Sequence, residues 1–148
     1  MDVNASFPGM RGPELPTNEQ IEPLFLENFP EAWTEDADVT WYLQDSECYH
    51  LSIVANPQYG IWLWHRHNRP DGSEENYISL GNIEKLDTYV EAVEDSLTLE
   101  GFFLPPEQAW LAVQDFINSP GVRSERINWM HEDQVPRGKY WLVSSDCL

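Results

Sequence analysis

His65 and His67 stand two apart in the run Gly60-Ile61-Trp62-Leu63-Trp64-His65-Arg66-His67, and Glu74 follows. In an extended strand, residues two apart point to one face, so the two imidazoles can share a metal ion with a carboxylate from the next strand. Other chemistry-bearing sets are thinner. Cys48 precedes His50 by two, which places both on one face of a strand, an arrangement that reads as packing. Ser79, Ser119, Ser144 and Ser145 lack the tight-turn setting of an activated nucleophile. Gly9-Met10-Arg11-Gly12-Pro13 runs into proline, not into a helix start with lysine, so it is no phosphate loop. Paired carboxylates abound in so acidic a chain and single out no acid-base couple.

The order Gly60, His65, His67, Glu74, Gly81 resembles the first metal motif of cupins. It is one residue longer before the first histidine and two or three longer before the glutamate. His131, the downstream histidine, does not stand in the Pro-x-Gly-x-x-His arrangement of the second cupin motif. The expectation is therefore no bound metal or cofactor and no enzyme, with His65 and His67 at a strand rim beside Arg66 and Arg69. A small cupin-like metalloprotein using His65, His67 and Glu74 is the alternative.

These residues need elements to hold them. Four runs, 39–43, 48–55, 60–67 and 75–80, are rich in β-branched and aromatic residues. The turn signals Gln44-Asp45-Ser46, Asn56-Pro57 and Asn68-Arg69-Pro70-Asp71-Gly72 separate them, and this spacing predicts an antiparallel meander. The third run is apolar on both faces, which predicts a central strand covered on each side. From 106 to 118 the spacing predicts a helix: Pro106 sits where no amide partner is lost, Glu107 suits the positive end, and Ala109, Val113, Phe116 and Ile117 make one face. Gly121 ends it, and Arg126-Ile127-Asn128-Trp129 returns as a strand whose Trp129 should be core. Ile21, Leu24, Phe25 and Phe29 predict a helix of one or two turns, interrupted at Pro23 and ended before Pro30. Residues 139–144 predict a last strand. Pro8, Pro13, Pro16, Gly9 and Gly12 make 1–18 read as an irregular arm, leaving 19–148 as a single α+β domain, an antiparallel twisted sheet with a helix on one face.

The formal net charge is −18, and its distribution says more than its size. From Glu14 to Glu47 there are ten carboxylates and no Lys or Arg; from Asp71 to Glu100 there are nine against Lys85 alone. Phosphate binding needs cations, so the field argues against nucleic acid and anionic membranes as direct partners; it suits a basic protein partner or serves solubility alone. The two cysteines, Cys48 and Cys147, make no disulfide framework. The N-terminus has neither a basic nor an apolar signal region, and no apolar run reaches membrane-spanning length, so the expected location is cytoplasmic.

Pro105, Pro106, Ala109, Val113, Phe116, Gly121, Ile127 and Trp129 follow one another as strand end, proline, helix with an aromatic-apolar face, glycine turn, and strand closing on tryptophan. This order resembles the immunity-protein-one family of bacterial polymorphic toxin systems. The resemblance implies a strand over 88–95, where Tyr89-Val90 has β character although Leu86, Val90, Val93 and Leu97 also fit a helical stripe. It further implies an antitoxin that blocks the active site of a cognate deaminase or nuclease toxin, whose cationic cleft an acidic surface can occupy. The candidate docking residues are Glu35, Asp36 and Asp38 before the first strand of the meander, and Asp71, Glu74 and Glu75 between its third and fourth strands. Trp41, Trp64, Trp110 and Trp129 read as core, while Trp62, Trp33 or Trp141 are the candidate exposed anchors.

Overall fold

Val3, Ala5 and Phe7 alternate with polar neighbours, and in the computed structural model, which describes residues 2–12, 14–91 and 97–135, that alternation is a strand. Strand β1 (Asp2–Phe7) turns at Gly9 and pairs with β2 (Met10–Gly12), so the stretch read as an irregular arm opens with a hairpin. The sequence hid it because prolines and glycines flank so short an apolar pattern. What orders it is long-range: β1 pairs antiparallel with β3 (Ala37–Tyr42), from Asp2 opposite Tyr42 to Ser6 opposite Asp38, and buries Ala5 and Phe7.

Helix α1 (Asn18–Leu26) begins at Thr17, whose hydroxyl accepts from the Gln20 amide while the Gln20 side chain accepts from the Thr17 amide. It passes through Pro23 instead of breaking there. The start is fixed by this reciprocal cap, and burial of Ile21, Leu24 and Phe25 offsets the lost amide bond. The predicted meander is present as β3, β4 (Cys48–Asn56), β5 (Gly60–Asn68) and β6 (Glu74–Ser79), each antiparallel to the next. Across the sheet the order is β2-β1-β3-β4-β5-β6-β9, the last being Trp129–His131. A separate two-stranded sheet joins β7 (Tyr89–Glu91) to β8 (Leu97–Leu99). The strand expected over 88–95 is thus shorter, with 92–96 outside the described residues; so are the strand expected at 139–144 and Trp141.

Helix α2 (Pro106–Asn118) lies on one face with α1 against it, Phe25 and Trp110 having ring centroids 5.4 Å apart. Ala109, Val113 and Phe116 close a first core over Leu51, Ile53, Ile61 and Leu63. Val54, Trp62, Trp64 and Ile78 form a second core on the other face, covered by Val90, Leu99, Phe102 and Phe103. Strand β5 is consequently buried over seven consecutive residues, as its two apolar faces predicted. The chain is a single α+β domain.

Two tryptophan readings are corrected. Trp62 is 1% exposed, and Trp33 is buried with its indole N–H donating to the Leu24 carbonyl at 2.8 Å, so neither is a surface anchor. Alternation puts Trp62 on the face shared by Trp64 and Arg66; what covers that face is the 99–103 segment, distant in sequence.

The return strand is shorter than expected, starting at Trp129. Arg126 folds back on α2 instead, bonding the Asp115 carboxylate at 2.6 and 2.9 Å and the Leu111 carbonyl at 3.1 Å. Trp129 is half-buried, donating to the Ser124 carbonyl at 2.8 Å and meeting His65 edge-on. Trp129→Ala should therefore cost about 1–3 kcal/mol in urea unfolding, less than a full core deletion. A loss matching the 3–5 kcal/mol typical of buried aromatics would place the indole in the core proper.

Candidate functional site

The docking residues expected from the sequence do not share one surface. Because β3 and β5 run the same way, Glu35 and Asp36, just before β3, stand towards the end where β5 begins and Asp38 stands level with Trp64 at its middle, whereas Asp71, Glu74 and Glu75 stand where it finishes. Along β5, at roughly 3.3 Å per residue, Asp38 and Glu75 are three positions, about 10 Å, apart, and Glu35 and Asp36 lie farther from Asp71 and Glu74. Trp62 is buried under the 99–103 segment and belongs to neither group.

What the fold does bring together is a different acidic set. Two tight turns abut at the far end of β5. In the β3–β4 turn Asp45 and Ser46 are both left-handed, at φ 58° and 67°, and the Glu47 amide donates to the Gln44 carbonyl at 3.1 Å. In the β5–β6 turn the Asp71 carboxylate accepts from the Ser73 hydroxyl at 2.6 Å and its amide at 2.9 Å, which holds the Asp71 pKa below the ordinary carboxylate value. Asp2, paired with Tyr42, completes the end. A depression of about 680 Å³ lies among Asp2, Tyr42, Asp45, Glu47 and Pro70. Asp2, Asp45 and Glu47 were missed because a lone carboxylate is ordinary in this chain; the register that brings two turns and the start of β1 together is not readable from any one of them.

Register also decides the fate of the proposed metal set. His67 faces Glu75 across the ladder, and His65 faces Tyr77, whereas Glu74 is opposite Asn68 on the other side of the sheet. His65, His67 and Glu74 therefore do not converge, and among the described residues no three His, Cys, Asp or Glu side chains are placed to hold a metal. Gly60 and Gly81 have structural reasons to be glycine: a Cβ would lie 2.2 Å from the Leu104 carbonyl oxygen at the first and 1.9 Å from that of Phe103 at the second.

Around the two histidines is a cleft of about 790 Å³ between β4–β6 and the turn after α2. The His67 ring stacks on Tyr49 at 4.2 Å, and its Nε2 meets the Glu47 carboxylate at 2.7 Å. His65 donates from Nε2 to the Gly121 carbonyl at 2.8 Å. Burial lowers its pKa to about 4, against the pull of that carbonyl, with Arg123 and His67 adding to the lowering. Arg123 lays its guanidinium over the Tyr77 ring, 3.5 Å from the centroid. On the opposite face His50 has its ring nitrogens 2.6 Å from the Thr40 hydroxyl and 3.0 Å from that of Ser52; burial first, then Arg66, lowers its pKa to about 4. Cys48, two residues before it on the same strand, is buried.

Gly121 is the hinge of this arrangement. Its φ is +85°, and a Cβ there would stand 2.5 Å from the Tyr49 ring. Gly121→Ala should cost about 2–3 kcal/mol, combining left-handed strain with displacement of Tyr49. Its denaturant midpoint should fall accordingly; a midpoint within about 0.5 kcal/mol of the parent would show that the turn yields freely. Comparison with family models, with curated proteins and with solved structures finds no match for this chain.

Proposed function

We propose that this protein is an immunity protein that neutralises a bacterial toxin by seating an acidic surface in the toxin's cationic, nucleic-acid-binding cleft, in the cytoplasm of the cell that makes both. The observation that carries the reading is the assembly of Asp2, Asp45, Glu47, Asp71 and Glu74 on the abutting turns at one end of the sheet. Short turns on a rigid sheet can enter a cleft without ordering cost, and the −18 net charge steers a basic partner towards the chain. The resemblance of residues 105–129 to the immunity-protein-one family supports a toxin as that partner, with deaminases and nucleases as its classes. Occlusion asks for no catalysis by this chain.

The test is kinetic. The toxin is sought by co-purification from the source cells and from the neighbouring gene. Reversing Asp45, Asp71 and Glu74 to lysine should slow association about tenfold at low salt, and the parental rate should fall as the Debye length shrinks below about 8 Å. The Glu35→Lys, Asp36→Lys pair, at the other end of the sheet, should change the rate less than about twofold. If the two reversals act alike, or neither acts, the acidic end is not the docking surface.

A further inference from the structure

The cleft beside the acidic end has a chemistry of its own. Arg123 on one wall makes no ion pair among the described residues; its guanidinium is held flat by Tyr77, which leaves its N–H edges for an in-plane oxyanion. Glu75, two residues before Tyr77 on the same face of β6, meets Arg69 at 3.4 Å and His131 at 3.8 Å but makes no ion pair with Arg123. Beside Glu75, across β5 and β4, the Tyr49–His67 stack forms an aromatic floor of the same cleft. The volume, about 790 Å³, is that of ligand-binding clefts.

Charge narrows what can enter. A net anion is repelled by a protein of net charge −18, although Arg123 asks for a carboxylate. A simple cation is drawn to Glu75 but meets Arg123. A ligand carrying both charges satisfies both walls. We infer that this cleft is a binding site for a small zwitterion, a free α-amino acid with an aromatic body, its carboxylate on Arg123, its ammonium on Glu75 and its ring on the Tyr49–His67 floor. The inference goes beyond the toxin reading and stands on different residues, so either can fail alone.

Calorimetry on the full chain with L-phenylalanine is the direct test. Saturable millimolar binding is expected, weakened about tenfold or more for L-phenylalaninamide, which lacks the carboxylate, and for N-acetyl-L-phenylalanine, which lacks the ammonium. Arg123→Gln should bind L-phenylalanine and its amide alike; Glu75→Gln should bind L-phenylalanine and its N-acetyl derivative alike. Both variants change partly exposed side chains, and a circular dichroism spectrum matching the parent's shows that they are folded. Absence of saturable binding by L-phenylalanine, or binding indifferent to both blocked derivatives, overturns the assignment.

Discussion

Trp62→Ala should lower the free energy of unfolding by about 3–5 kcal/mol, the usual cost of deleting a wholly buried aromatic. Trp62 is 1% exposed in the second core, with Phe102 ring to ring at 5.6 Å and Val54, Trp64 and Ile78 in the same cluster. Its indole nitrogen is buried without a hydrogen-bond partner among the described residues. Trp62→Phe gives up that unsatisfied donor together with part of the ring, so the two effects offset and its loss should be about 1 kcal/mol. Urea unfolding of both variants measures this, and association with a partner should be unchanged for either folded variant. A loss below about 1 kcal/mol for the alanine variant would mean that the 99–103 segment is not a core layer.

Stability should also fall steeply on mild acidification, before most carboxylates titrate. His50 and His65 each have a folded-state pKa near 4 against 6.5 for the free side chain. Between those values the unfolded chain binds the protons that the folded one refuses, so stability rises with pH through this window. The histidine contribution is complete above about pH 6.5 and lost as pH falls towards 4, roughly 3 kcal/mol for each residue. Urea midpoints at pH 7 and pH 5 should differ clearly in the parent and much less in the His50→Gln, His65→Gln double variant. An equal pH dependence in parent and double variant would show that other groups drive it. Desolvation is the leading cause for both residues, and the charge of His65 adds to the lowering at His50, so the double variant is the one that removes the effect.

Seven residues of β5 in unbroken burial explain why His65 behaves this way, and they mark where sequence reading was strong. A strand apolar on both faces has to be central, and the helix stripe of Ala109, Val113, Phe116 and Ile117 has to cover one side; both follow from period alone. The N-terminal hairpin was illegible because its stability comes from pairing with β3, about 35 residues away in sequence, and local turn residues argue the other way.

The sequence by itself determined the meander, the Pro106–Asn118 helix, the turn at Gly121 and the acidic character of the chain, because each is written in local periodicity, backbone permissiveness or composition. Only the tertiary structure decided which carboxylate stands opposite His67, that Trp62 is covered, and that Glu35 and Asp71 occupy opposite ends of the sheet. These depend on strand register and on which segment closes each face, and a one-residue change of register moves a side chain to the other side of a sheet while leaving the local pattern as it was.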